Sequence, residues 1–207
     1  MSSPLIMPSI YDGLEALGLK TDLAGWHSTD PLFAELIEET QPRNIIEIGS
    51  WKGASAIHMA RLAGEDTRVW CVDTWLGGRG LLHHEGLAKR HGYPQVYFQF
   101  LHNVKACGMH ERIVPVIATS RDGARILTAA RAQVELIYVD GSHEEEDVAD
   151  DVADYWPLLR PGGVMFGDDL NEAAFPGVRR AVEGFADFKG FEMEERGHFW
   201  ILRKRAK

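Results

Sequence analysis

The chain has 207 residues, 45% hydrophobic and 26% charged, enough for one well-buried core, or at most one domain with an insertion. Its 22 Lys and Arg against 31 Asp and Glu leave a formal net charge of −9, which argues against a phosphate backbone as main partner, since that needs clustered positive charge. The opening MSSPLIMPSIYDGLEALG lacks the positive and long apolar regions of a secretory signal, and no stretch is apolar for long enough to span a bilayer; a cytoplasmic protein without membrane or nucleic-acid partners is expected.

Residues 1–28 form an N-terminal cap segment ahead of the first clear helical signal. Ser28-Thr29-Asp30 are good N-cap residues and Pro31 suits a first turn, so a helix is expected over Pro31 to Thr40. Asn44 to Gly49 is apolar on both faces, as a central parallel strand would be. A helix from about Gly53 to Ala63 follows, with Gly64 as its stop. Further strands are expected at Val69 to Val72, Ile113 to Ile117, Val134 to Val139 and Val164 to Phe166, with Pro161-Gly162-Gly163 turning into the last. A helix over Glu144 to Leu159 places Val148, Val152, Tyr155, Trp156 and Leu159 on one face. Its acidic residues, Asp151 among them, read as a solvated outer face. Glu192 to Glu195 and Phe199 to Leu202, around Arg196-Gly197, read as a terminal hairpin. Short apolar runs alternating with amphipathic ones describe an α/β domain around a mostly parallel sheet.

Residues 75–99 interrupt that rhythm with Gly77-Gly78, Gly80, His83-His84, His91 and Tyr93-Pro94. Such an insertion is either a lid or a plain surface excursion, and long loops in compact domains favour the lid.

Glu47-Ile48-Gly49-Ser50-Trp51-Lys52-Gly53-Ala54-Ser55 lies at a strand-to-helix turn. Gly49 permits a tight turn and close backbone approach, and Gly53 opens a helix whose free N–H groups favour a polar ligand. The G-x-x-x-G spacing is not the G-x-G-x-x-G of a dinucleotide site, so a nicotinamide enzyme is the weaker reading. Asp73, ending the second strand, can accept hydrogen bonds from both hydroxyls of a ribose, or simply cap the next turn. Asp140 ends one strand and Asp168-Asp169 the next. Three carboxylates converging there would suit a hard divalent ion such as Mg²⁺, although one Asp per helix can serve as a cap. His143, three residues after Asp140, is either a general base or a solvent-facing first-turn histidine.

Taken together, Glu-x-Gly-x-x-x-Gly-x-Ser, Val72-Asp73-Thr74-Trp75, Val139-Asp140-Gly141-Ser142-His143, Gly162-Gly163 and Asp168-Asp169 resemble class I S-adenosylmethionine-dependent methyltransferases. Within that class they resemble the small metal-dependent O-methyltransferases of the macrocin and sugar type, with catechol-type enzymes more distant. The resemblance covers about Pro42 to Leu202. It implies a Rossmann-like fold with helices on both faces of a seven-stranded, mostly parallel sheet ending in an antiparallel hairpin. It implies S-adenosylmethionine held by Glu47, Gly49, Ser50, Gly53 and Ser55 at the methionine part and Asp73 at the ribose. Trp75 and Ser120 would lie near the adenine, and Asp140 would border the cofactor as well as the metal. A divalent ion on Asp140, Asp168 and Asp169 would serve the acceptor, a small hydroxylated molecule, with His143 as base where catechol-type enzymes place a lysine. Transfer is expected to be direct, since the sulfonium already offers an electrophilic methyl group. Neither Cys71 nor Cys107 has a thiolate-activating setting. A metal-independent methyltransferase and a non-catalytic binding domain of the same fold stay open, as does self-association into a homo-oligomer.

Overall fold

The computed structural model describes residues 8–77, 89–90 and 93–206. Its main sheet comprises β1 (Asn44–Ile48), β2 (Arg68–Asp73), β5 (Ile113–Ile117), β6 (Val134–Val139), β7 (Leu159–Gly167), β8 (Met193–Arg196) and β9 (Phe199–Arg203). A separate two-residue pair joins β3 (Lys89–Arg90) and β4 (Tyr93–Pro94). The order across the main sheet is β5-β2-β1-β6-β7-β9-β8. The pairings from β5 to β7 are parallel, and those of β9 with β7 and β8 are antiparallel.

Alternate residues of each strand enter two separate cores, as a sheet covered on both faces requires. Ile45, Val69, Cys71, Leu136, Tyr138 and Phe166 face one core. Helices α1 (Pro31–Thr40), α2 (Ala54–Leu62) and α3 (Gln95–Ala106) cover that side. Ile46, Ile48, Val72, Ile137, Val139, Met165 and Trp200 face the other, covered by α4 (Ser120–Ala129), α5 (Glu145–Tyr155) and α6 (Pro176–Lys189). Asp30 caps α1 by accepting from Leu32 N at 2.8 Å, as the cap signal ahead of Pro31 requires.

Several expected boundaries move. The helix begun near Glu144 stops at Tyr155, and a 3₁₀ turn over Trp156–Leu158 takes its place around Pro157, which has no N–H to continue the ladder. Pro161-Gly162-Gly163 does not turn into a strand: it lies inside β7, which starts at Leu159, and the extra residues are absorbed by a register shift opposite Val134 and Leu136. Helices α4 and α6 are additional to the elements expected from the sequence. The far end of the insertion is already helical from Gln95. Gly78, Gly80, His83, His84 and His91, on which the lid expectation rests, lie outside the described residues.

The N-terminal segment is tied down by polar contacts. Asn103 on α3 donates through Nδ2 to the carbonyls of Asp22 and Lys52 at 2.6 and 2.8 Å, and its Oδ1 accepts from Asp22 N at 3.0 Å. The Lys52 ammonium lies 2.6 Å from an Asp22 carboxylate oxygen. One buried amide thus binds the segment to the β1–α2 loop.

Candidate active site

The C-terminal ends of β1, β2, β6 and β7 meet at one edge of the sheet, where parallel α/β folds place ligands. The loop leaving β1 carries three left-handed residues: Gly49 at φ +84°, Trp51 at +45° and Gly53 at +83°. At Gly49 a side chain is impossible without displacement, because a Cβ would stand 2.0 Å from the Asp140 carbonyl oxygen. At Gly53 it would press on the Phe100 ring at 3.0 Å. The first glycine therefore lets β1 and β6 close together, and the second seats the start of α2 on α3. Clustered non-glycine residues at positive φ are characteristic of functional loops, and Trp75 and Asp169 add two more here.

Glu47 and Ser55 are beneath this loop, 0% and 6% exposed. Ser55 Oγ donates to Glu47 Oε1 at 2.5 Å, and the Cys71 thiol lies 3.5 Å from Oε2. Burial pushes the Glu47 carboxyl up to about 7. Burial and the neighbouring Glu47 also push the Cys71 thiol up, the opposite of what a nucleophilic thiolate needs. Ser50 is buried beside the Glu47 carboxyl and the Cys71 thiol, and its hydroxyl opposes the upward shift of both.

Asp73 braces the loop. Its Oδ2 accepts from Ser50 N at 3.0 Å and Trp51 N at 2.9 Å, and Oδ1 from Trp75 N at 2.7 Å. A carboxylate offers about four lone-pair positions, so roughly one remains where two ribose hydroxyls were expected to bind. The Trp75 side chain is 1% exposed, lying against Tyr97 and Phe100 and donating to the Trp51 carbonyl at 2.8 Å. It supports the loop from inside the core. Ser120 opens α4 and donates to Asp151, which is buried and not on a solvated face as expected. Burial drives the Asp151 carboxyl to about 7.

Asp140, His143 and Asp169 come together, each offering a ligand atom within 4.8 Å of the others. Tyr138 Oη donates to Asp140 Oδ2 at 3.1 Å, and burial together with the Asp168 and Asp169 charges raises the Asp140 carboxyl well above its usual range. His143 Nε2 is 2.7 Å from Asp169 Oδ2, and its ring stacks on Phe175 at 4.0 Å and 15°. Asp168, expected to complete that cluster, turns toward two histidines that sequence reasoning missed. His27 Nδ1 lies 2.9 Å from Asp168 Oδ2, and His198 Nε2 lies 4.0 Å from Oδ1. His58 is half-buried on α2 with its ring against Phe33.

Known proteins share the fold of this chain. The O-methyltransferase from Bacillus cereus in complex with SAH is 17% identical, with 95% of this chain and 90% of that one covered and a TM-score of 0.66. The O-methyltransferase TomG from Streptomyces achromogenes, in complex with SAM, is 18% identical, with coverages of 96% and 89% and a TM-score of 0.64. Both share the fold. An uncharacterized protein of Sinorhizobium fredii, y4gI, is 26% identical over 172 residues, 82% of this chain but 17% of that protein, so the chain spans a small part of that relative's length. The family model described as a methyltransferase domain matches residues 46–170, more than half of the chain and every strand end that builds the site. With the strand order and the glycine loop, that match shows that the chain belongs to the methyltransferase-domain family.

Proposed function

We propose that the chain is an S-adenosylmethionine-dependent O-methyltransferase acting on a hydroxyl of a small cytoplasmic molecule, phenolic or sugar. The observation that carries this reading is the convergence of Asp140, His143 and Asp169 within 4.8 Å directly against the glycine loop, where the Asp140 carbonyl abuts Gly49. A proton acceptor and two carboxylates therefore stand beside the motif expected to hold the methyl donor. The O-methyltransferase neighbours named with SAH and SAM support the same cofactor.

The residues present fit that cofactor. The start of α2 offers free backbone N–H groups, and Asp73 keeps about one acceptor position. Glu47, Ser55 and Trp75 serve by holding the loop in shape, and Ser120 by fixing the start of α4 against Asp151. Asp140 and Asp169 also fit a hard divalent ion such as Mg²⁺, which is usually held by one or two carboxylates and water. Bound there, it would lower the pKa of an acceptor hydroxyl. Asp168 is the third carboxylate of that expectation, and it adds negative potential at Asp140 although its own oxygens face His27 and His198. His143 takes the acceptor proton: donation from Nε2 to Asp169 leaves Nδ1 as the basic nitrogen.

The test is methyl transfer from S-adenosylmethionine to catechols, phenols and vicinal sugar hydroxyls, with EDTA and with added Mg²⁺. Transfer that EDTA abolishes and Mg²⁺ restores supports the full reading. The His143–Asp169 pair at 2.7 Å favours a second one, metal-independent transfer by an oriented imidazole, which full activity in EDTA would select. Binding of S-adenosylhomocysteine by calorimetry with no turnover of any acceptor selects a binding domain. No binding of either cofactor form overturns the proposal.

A further inference from the structure

We propose that His27, Asp168 and His198 form a second metal site, built for a borderline divalent cation of the zinc type. Each offers one ligand atom, and the three atoms lie within 4.8 Å of one another. The residues come from three separate parts of the fold: the N-terminal segment before α1, the residue after β7, and the β8–β9 turn. Strand pairing brings the last two together. β9 runs antiparallel to β7 with Trp200 opposite Gly167, and Leu170 N donates to the His198 carbonyl at 2.8 Å, so His198 is held beside Asp168.

The three donors are close enough to converge on one small ion. A tetrahedral cation about 2.0–2.1 Å from each donor holds the donors about 3.3 Å apart. His27 Nδ1 lies 2.9 Å from Asp168 Oδ2 and His198 Nε2 lies 4.0 Å from the other oxygen, Oδ1, so each carboxylate oxygen faces one imidazole. The two imidazoles stack at 3.6 Å and 22°, closer than two ligands of one tetrahedral ion, so binding requires the rings to swing apart around it. His198 Nε2 is buried with no hydrogen-bond partner among the described residues. An ion at the site would give that nitrogen its missing partner.

Ligand chemistry separates this cluster from the carboxylate mouth. Two imidazole nitrogens and one carboxylate select zinc-like ions, whereas a hard ion such as Mg²⁺ prefers oxygen ligands and water. Three protein ligands leave a fourth position for water or a bound molecule. His27 also helps to line a cleft of about 360 Å³ with Leu23, Gly25, Ser28, Ala54 and His58. An ion here would pin the N-terminal wall of that cleft to the terminal hairpin. The inference goes beyond the proposed methyl transfer and does not depend on it.

Metal-stripped full-length protein is titrated with Co²⁺, a spectroscopic substitute for Zn²⁺, and then with Zn²⁺ in competition with a chromophoric chelator. With excess Mg²⁺ present to occupy the Asp140–Asp169 cluster, one Co²⁺ per chain should bind with visible d–d absorption, and Zn²⁺ should displace it. His198→Gln and His27→Ala should each weaken Zn²⁺ binding by at least about 100-fold, the upper end of what loss of an outer-shell partner costs. His143→Ala should retain the bands, with circular dichroism confirming that all three variants are folded. Absence of stoichiometric binding overturns the site, as does binding that survives in folded His27→Ala and His198→Gln. Bands lost in His143→Ala but kept in the other two would move the ion to the Asp140 cluster and equally overturn it. Mg²⁺-dependent transfer is read separately, so failure here leaves the methyltransferase reading untouched.

Discussion

Replacing Asp73 by Asn tests whether this residue is chiefly a brace of the β1–α2 loop. Its carboxylate accepts three backbone N–H groups, two on Oδ2 and one on Oδ1. An amide keeps one oxygen. Placed at the Oδ2 position, it preserves the bonds from Ser50 and Trp51 but turns an NH₂ toward Trp75 N–H; reversed, it loses the other two. The first arrangement is cheaper and sacrifices one hydrogen bond to a charged group, about 1.5–3 kcal/mol. For a chain of this length each kcal/mol moves Tm by about 2–4 °C, so a fall of roughly 3–12 °C is expected in ligand-free protein. Urea titrations without ligand, paired with calorimetry of S-adenosylhomocysteine binding, separate the two roles. Unchanged ligand-free stability with weakened binding would show that Asp73 acts on the ligand alone and refute the brace. If neither quantity moved, both assignments would fall.

Gly49→Ala should cost about 2–5 kcal/mol, combining left-handed strain with forced displacement of the Asp140 backbone; a urea midpoint within error of wild type would contradict the close approach of β1 and β6. Asp151 has its carboxyl raised to about 7 from 3.8, so the unfolded chain ionises first, and stability is complete below about pH 4 and falls as pH rises through about 7. Glu47, also raised to about 7, contributes in the same direction, so Asp151→Asn should flatten that decline between pH 4.5 and 8 without abolishing it. Equal slopes in wild type and variant would count against the buried assignment. His143→Ala should lower turnover by about 10²–10⁴, and wild-type turnover in that variant would exclude the histidine as base.

Most of the sheet was legible because a strand covered on both faces has an unmistakable composition. Ile113 to Ile117 and Val134 to Val139 are apolar over nearly their whole length, Asn44 to Ile48 is apolar at three of five positions, and all three strands lie within a residue of their expected limits. α4 and α6 escaped although their signals were present. Thr119 caps α4 by accepting from Asp122 N, while α6 begins at Pro176 and ends at the left-handed Gly190. Both helices carry exposed charges, Arg121, Asp122 and Arg125 on α4 and Arg180, Glu183 and Asp187 on α6, and their buried faces include the small residues Gly123, Ala124, Gly177, Ala181 and Ala186, which make a weak apolar stripe. Asp151 shows the complementary error. Residues 148, 151, 152 and 155 form the i, i+3, i+4, i+7 stripe that faces the core, so spacing assigned Asp151 to the buried face, but residue type suggested the opposite.

The site divides along similar lines. Its glycine loop, Asp73, Asp140 and Asp169 each sit at the end of a strand, and in a parallel sheet strand ends are neighbours whatever their distance along the chain. Sequence position alone therefore predicts that they meet. What Asp168 touches follows a different rule. Adjacent residues leaving a strand point in different directions, so Asp169 faces His143 while Asp168 faces back toward the hairpin. His198 reaches it only because of the β7–β9 register, and His27 only because Asn103 and the Asp22–Lys52 pair hold the N-terminal segment against the loop. Neither histidine has a motif of its own. Side chains delivered by antiparallel register and by polar tethering of a segment outside the sheet become visible only once both packings are known, which is why the tandem aspartates read as one metal site in sequence and serve two clusters in the fold.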